Sequence, residues 1–319
     1  MGRFIVRRLI QAIPTLFGVL VLTFLLTRLS PADPVSLMLG GQYDVTPEDR
    51  EQLRQTLGLN DPLPVQFAIW MWKVLQLDFG NSFYYHRPVI QMIAERIPNS
   101  LQISIAALIV TVAVGVPLGV IAALKRGTAA DHAIRIFSVS GHAIPTFWFG
   151  LIFVLVLGVQ LRWFPIGSMN VVGVDCVFCW DRIWHLIGPV AIISIGGIAN
   201  LPRILRTEVL EVISQDYVRT ARSKGLREGA VVARHVLRNA LIPVVTIFGG
   251  LLTIFLSGAL VIEQVFNWPG LGRLTFEAAI NKDYPLVQAG VVFSAVLLIF
   301  SYVLRDITYA FVDPRIKVR

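Results

Sequence analysis

The residues able to do chemistry are few and widely spaced. Cys176 and Cys179 are the only cysteines and form a C-x-x-C spacing. That spacing suits a local disulfide, a pair of free thiols, or a redox or metal role, although two ligands alone do not complete a metal site. No G-x-x-x-x-G-K-[ST] loop occurs to cradle phosphates on backbone amides, and the metalloprotease helix H-E-x-x-H and the hydrolase elbow G-x-S-x-G are also missing. The 5 histidines do not cluster. His142 falls in an apolar stretch, where a hydrogen-bonded packing role is the simplest reading, and the nearby Pro145 is expected to bend its helix. Arg305 and Asp306 fall at the end of another apolar stretch, where snorkelling or mutual pairing accounts for them. No catalytic constellation emerges, and nucleotide chemistry within this chain is excluded.

The elements that would hold these residues belong to a bilayer. The 319 residues are 55% hydrophobic and 15% charged, with mean hydropathy +0.69, whereas soluble domains carry roughly a quarter charged residues. An isolated charge at mid-bilayer costs at least about 2.5–3.5 kcal/mol, so charge-free stretches mark the spans. Six such stretches hold 19 to 28 residues each, against the roughly 20 needed to cross at 1.5 Å per residue. They place membrane helices at about 9–27, 99–124, 136–161, 183–202, 240–262 and 285–304. The basic N-terminus before the first stretch resembles a secretory signal. No small-x-small cleavage site follows Leu26 and five apolar stretches come later, so it reads as a retained first helix.

Orientation follows from the basic residues. With the N-terminus inside, the inner segments carry 18 basic and 7 acidic residues and the outer ones 10 and 13, which satisfies the positive-inside rule and puts both termini in the cytoplasm. The net charge of +8 is thereby a topology signal and not a nucleic-acid footprint. One all-α integral membrane domain over residues 1–319 is expected, with an external segment at 30–95 and a cytoplasmic loop at 203–238.

Both long segments carry helix signals. In the external one, Thr46-Pro47-Glu48-Asp49 reads as an N-cap, a first-position proline and an acidic first turn, with Gly58 as the stop. Val65 to Trp72 is too short to cross and carries the paired tryptophans of a membrane-water boundary. In the cytoplasmic loop, Val209, Val212, Ile213, Asp216, Tyr217 and Ala221 recur at helical spacing up to Gly225, which predicts one short amphipathic helix. The external placement of Cys176 and Cys179 favours oxidation.

The cytoplasmic run Asp216-Tyr217-Val218-Arg219-Thr220-Ala221-Arg222-Ser223-Lys224-Gly225-Leu226, followed by Arg238-Asn239-Ala240-Leu241-Ile242-Pro243, resembles the EAA loop of binding-protein-dependent ABC importers, in the version of dipeptide and oligopeptide permeases. Matching blocks also occur at Arg7 to Gly18, Leu57 to Pro64, Asp78 to Ser82, Ala143 to Trp148, Glu263 to Gly272 and Asp313 to Ile316, so the resemblance spans nearly the whole chain. It implies a type I ABC importer permease fold with six transmembrane helices in the bacterial inner membrane. It implies ATPase coupling through Asp216, Tyr217, Arg219, Thr220, Ala221, Lys224 and Gly225, with the cytoplasmic helix seated in a cleft of an ATPase subunit. Where the general motif begins Glu-Ala-Ala, this chain has Arg219-Thr220-Ala221, and Gly225 is the most direct correspondence.

The implied partners are a second homologous permease subunit, two ATPase subunits or one fused, an external substrate-binding protein and membrane lipids, with no nucleic acid. ATP and Mg would be bound by the ATPase subunits, with no cofactor in this chain. Gly249, Gly250, Ser257 and Gly258 on the fifth span either pack helices closely or line the translocation path. Related permeases carry dipeptides, longer peptides, glutathione or nickel, and peptide is the commonest cargo. An ion-coupled secondary transporter is the competing class. It would need acidic or histidine residues near the midplane and repeated halves, and the sequence shows neither.

Overall fold

The computed structural model describes residues 2–29, 35–36, 46–56, 58–171, 173, 176, 179–241 and 260–312. Its helices are α1 Gly2–Arg28, α2 Pro47–Thr56, α3 Leu63–Leu75, α4 Val89–Leu124, α5 Ala129–Ala143, α6 Thr146–Phe153, α7 Trp180–Ile213, α8 Asp216–Ser223, α9 Glu228–Val231, α10 Leu271–Ile280 and α11 Tyr284–Val312. π-helical turns at Val154–Gln160 and Val232–Val236 extend α6 and α9.

Among the described residues, four helices are long and apolar enough to cross a bilayer: Val6–Arg28, Val89–Leu124, Trp180–Ile213 and Tyr284–Ile307. The span expected over 136–161 is not one straight helix. It is a pair, Ala129–Ala143 and Thr146–Gln160, bent by 97°. Pro145 supplies the cause, since it has no N–H to donate back to α5 and its ring excludes a helical predecessor. Of the span expected over 240–262, residues 242–259 lie outside the described residues, and Gly249, Gly250, Ser257 and Gly258 lie there with them.

The chain divides into two compact units. One holds Val6–Ser100 and Pro269–Ile299, and the other Met1–Ile5, Leu101–Trp268 and Phe300–Arg319. In the first unit, α2 and its flanks fold as their turn signals require. Thr46 Oγ1 accepts the Asp49 N–H at 3.2 Å while Asp49 accepts from the Thr46 N–H and hydroxyl, a reciprocal cap. At the other end of α2, Gly58 adopts φ +63°. The Gly58 N–H bonds the Gln55 carbonyl and the Leu59 N–H reaches back to the Arg54 carbonyl, the bond pair of a Schellman stop. On α3, Phe67 meets Phe24 edge-on at 5.3 Å and the Trp70 indole donates to Gln288 at 2.9 Å, so α3 is held by α1 and α11. Trp72 on α3 stays exposed.

Asp283, just before α11, is fully buried. Its carboxylate accepts the Ser82 hydroxyl, the Phe83 N–H at 3.1 Å and the Tyr84 N–H at 3.4 Å, which holds the turn 80–88 closed. Val89, Ile93, Leu274 and Leu286 form the apolar centre of this unit.

The second unit is organised on α7, a 34-residue helix that is buried along much of its length and carries Pro189 and Pro202 internally. It continues to Ile213, beyond the inner boundary expected at 202. A Cβ on Gly197 of α7 would stand 2.5 Å from Thr111 Cγ2 of α4, so glycine is what lets these two helices approach. Towards its C-terminal end, Leu201, Leu205 and Val209 of α7 pack against Val218 and Ala221 of α8 and Val236. At the opposite end, Cys176 and Cys179 are joined by a disulfide, with Cα atoms 6.0 Å apart.

Candidate functional site

The cytoplasmic loop departs from the single amphipathic helix expected up to Gly225. The helix breaks at Ser214–Gln215 because the Ser214 hydroxyl and N–H both turn back onto the Glu211 carbonyl, and Gln215 is extended at ψ 148°. Beyond the break lies α8, eight residues with two distinct faces. Val218 and Ala221 are buried against the ends of α7 and the π-helical turn. Asp216, Tyr217, Arg219, Thr220 and Lys224 are exposed. Ala221 therefore anchors the helix from beneath, whereas the other residues expected at the coupling surface present its outer face. Arg219 and Asp216 face each other at 3.6 Å across one turn with side chains 72% and 97% exposed, a contact that water and salt weaken.

Gly225 follows α8 with φ +77°, and a Cβ there would meet nothing within 4 Å. Its requirement for glycine is conformational and not steric.

Two contacts tie α8 to the helical segment on its C-terminal side. The Arg222 guanidinium grips Glu228 in bidentate fashion at 2.7 and 3.1 Å. The hydrogen bonds from Arg222 hold the Glu228 carboxyl below its ordinary range, and Glu228 raises Arg222 in return. A lowered carboxylate supports the fold above its unfolded value and loses that support as pH falls through the folded one, so this tie is fully formed at neutral pH. The Asn239 amide donates to the Tyr217 hydroxyl at 2.9 Å. Asn239 lies in the helical stretch that runs to residue 241, so Tyr217 ties α8 to that stretch in addition to the packing of Val218 and Ala221.

A second tie lies on the inner ends of α5 and α7. Arg206 binds Asp131 through Nε and Nη2, both at 2.8 Å, and the Gly127 N–H adds a third bond at 3.0 Å. The Asp131 side chain is 1% exposed. Sequence reasoning did not find this pair; the one signal for it was that Asp131 is the sole acid between Lys125 and Arg135. Asp131→Ala strands a partly buried guanidinium and the Gly127 N–H, and Arg206→Ala strands the carboxylate. Either variant is expected to lower the recovery of folded protein several-fold after mild heating, measured by size-exclusion chromatography in detergent. Recovery equal to wild type in both would remove the pair from the account of how α5 is held to α7.

Beside the α5–α6 break lies a cleft of about 550 Å³, lined by Gly141 to Phe147, Ile193, Gly196, Gly197, Asn200, Val261 and Ile262. His142, expected as a packing residue, is exposed on this cleft. Arg305 and Asp306 pair with each other at 3.2 Å.

An exposed short helix tied to the helical stretch that follows it is the arrangement the EAA-loop resemblance implies. Residues 115–318 match the family "Binding-protein-dependent transport system inner membrane component", and residues 1–105 match its N-terminal counterpart. The chain belongs to this family. It is a multi-pass protein of the bacterial inner membrane and a component of an ABC transport system. It is similar to the oligopeptide transport system permease protein AppB of Bacillus subtilis (strain 168), with 42% identity over 318 residues, 99% of this chain and 100% of that protein. Among solved structures, the MetNI methionine ABC transporter in inward-facing form resembles it with a TM-score of 0.56 at 14% identity, covering 70% of this chain and 97% of that one. That likeness is one of fold.

Proposed function

We infer that this chain is one of two permease subunits of an ATP-driven importer that carries di- or oligopeptides across the inner membrane. The observation that carries the reading is the full-length similarity to an oligopeptide permease together with α8, whose outer face is free while Tyr217 is tied to Asn239.

In this reading residues 1–319 form one permease domain with six spans and both termini in the cytoplasm. Four long helices, the bent pair α5–α6 and the stretch 240–262 supply the spans. Two ATPase subunits, or one fused, bind ATP and Mg and grip the face made by Asp216, Tyr217, Arg219, Thr220, Lys224 and Gly225. The chain itself carries no catalytic residue. A second permease subunit completes the path, which Gly249, Gly250, Ser257 and Gly258 line in part. An external binding protein delivers the cargo. On this topology the Cys176–Cys179 bond lies outside, where disulfides persist.

The test is uptake of labelled di- to pentapeptides into proteoliposomes holding this chain with its partner permease, ATPases and binding protein. Uptake is expected only with ATP and ranks the cargo by length. Uptake without ATP, driven by an ion gradient, would overturn the class. Uptake of nickel or glutathione in place of peptides would keep the machine and replace the cargo.

A further inference from the structure

The cleft at the 97° break between α5 and α6 collects hydrogen-bonding capacity that nothing else among the described residues uses. Pro145 has no N–H, and no described backbone N–H donates to the carbonyls of Gly141, His142, Ala143 or Ile144. On the facing helix α7, Asn200 accepts from Arg203 through Oδ1 at 3.0 Å, which leaves both amide hydrogens on Nδ2 without an acceptor among the described residues. The His142 ring and the Thr146 hydroxyl are likewise without partners among the described residues, and at Gly196 a Cβ would meet nothing within 4 Å, which leaves that part of the cleft open. Non-helical backbone at membrane depth persists only where it is covered by protein or lines a watery cavity, because each unpaired group costs several kcal/mol in hydrocarbon. Elsewhere the outward faces are apolar, as on α1 at Ile10, Ile13, Leu22 and Leu26. The break thus gathers a few hydrogen-bonding groups on a cleft whose lining is otherwise mostly apolar.

We propose that this cleft is a peptide-backbone subsite of the translocation path: the carbonyls at 141–144, which no described N–H engages, take the cargo's N–H groups, while Asn200 Nδ2, Thr146 Oγ1 and the His142 ring serve its carbonyls. The inference rests on the peptide reading above. Its size of about 550 Å³ lies within the range of roughly 300–1,000 Å³ typical of ligand sites. The described lining of the cleft holds no carboxylate, lysine or arginine, so recognition is by amide hydrogen bonds and indifferent to the charge of the cargo's side chains. Several neutral bonds of modest net worth hold the chain without trapping it. Finally, α5 and α7, the two helices that bear the subsite, are joined at their inner ends by Asp131 and Arg206, so motion of α7 alters its width.

The experiment uses the assembled transporter in proteoliposomes. The triple variant His142→Leu, Thr146→Val, Asn200→Leu is expected to lose uptake of acidic, basic and neutral tripeptides alike, by about tenfold or more. ATPase stimulation by the loaded binding protein and peptide affinity of that protein should be unchanged. The conservative set His142→Gln, Thr146→Ser, Asn200→Gln should recover most of the uptake. Wild-type uptake in the Leu/Val/Leu variant would overturn the subsite, as would a loss confined to one charge class. If that variant loses ATPase stimulation too, a benzophenone-bearing tripeptide photolysed during wild-type turnover decides: adducts within 141–147 or 196–200 uphold the proposal, and adducts solely elsewhere refute it. Failure of the wild-type transporter to take up any peptide would instead refute the cargo reading, a separate result.

Discussion

Gly225→Val is expected to leave membrane insertion intact while removing most ATP-driven uptake and most stimulation of the partner ATPases. The residue sits at φ +77° with open space around its missing Cβ, so no neighbour must move. The cost is in the backbone: a left-handed conformation is worth about 1–2 kcal/mol against an ordinary residue, and more for a β-branched one. The cheapest relief is to unwind the last turn of α8, where the Gly225 N–H holds the Arg222 carbonyl and the Lys224 N–H holds that of Thr220. Unwinding displaces Lys224 from the outer face and loosens the Arg222–Glu228 grip. The control is Gly225→Asn, which tolerates this conformation and should retain much of the activity. The readouts are membrane fractionation, peptide uptake and binding-protein-stimulated ATP hydrolysis. Normal uptake by the valine variant would sink the assignment of α8 and Gly225 as the coupling element, whereas equal loss in the asparagine variant would show that space, and not φ, matters there.

Asp283→Ala is expected to destabilise the turn 80–88 more than any other single substitution. The carboxylate is fully buried and accepts three hydrogen bonds from Ser82, Phe83 and Tyr84. Bonds to a charged group contribute about 1.5–3 kcal/mol each, and leaving buried donors unmet adds their desolvation, so a loss of roughly 3 kcal/mol or more is expected. The turn it holds is otherwise closed by the short pairing of Asn81 with Pro88 and by the Val89 N–H on the Gly80 carbonyl. Opening should expose the bond after Tyr84 to chymotrypsin. Asp283→Asn keeps the volume but turns one acceptor into a donor against donors, and should fall between. Unchanged thermal unfolding and unchanged cleavage in the alanine variant would show that the turn stands on its apolar contacts alone.

Much of the architecture was legible before any coordinates, for identifiable reasons. Lipid-facing helices must be apolar over a fixed length, so α1, α4, α7 and α11 announce themselves by composition. Caps act through adjacent residues, so the start of α2 at Thr46 and its stop at Gly58 could be read from the string. Pro145 marked the break in the third span because a missing N–H is a local property. Gly225 was found the same way.

Other features escaped because they depend on partners far apart in the chain. Alternation of apolar residues from Val209 to Ala221 suggested one helix, yet Ser214 redirects its own bonds and splits it. Ala221 looked like part of a recognition surface, but the inner end of α7 covers it. The grip of Asp283 on the turn near Ser82 crosses some 200 positions of sequence, and the pairing of Asp131 with Arg206 crosses 75.

Composition and short-range backbone chemistry therefore determined the all-helical membrane class, its long apolar helices and the start and stop of α2, since the bilayer and the helix impose those rules residue by residue. Only folding decided which face of α8 is free, which acid holds the turn 80–88, and that the bend at Pro145 opens onto Asn200. Those outcomes turn on packing of helices remote in sequence, which no local pattern encodes.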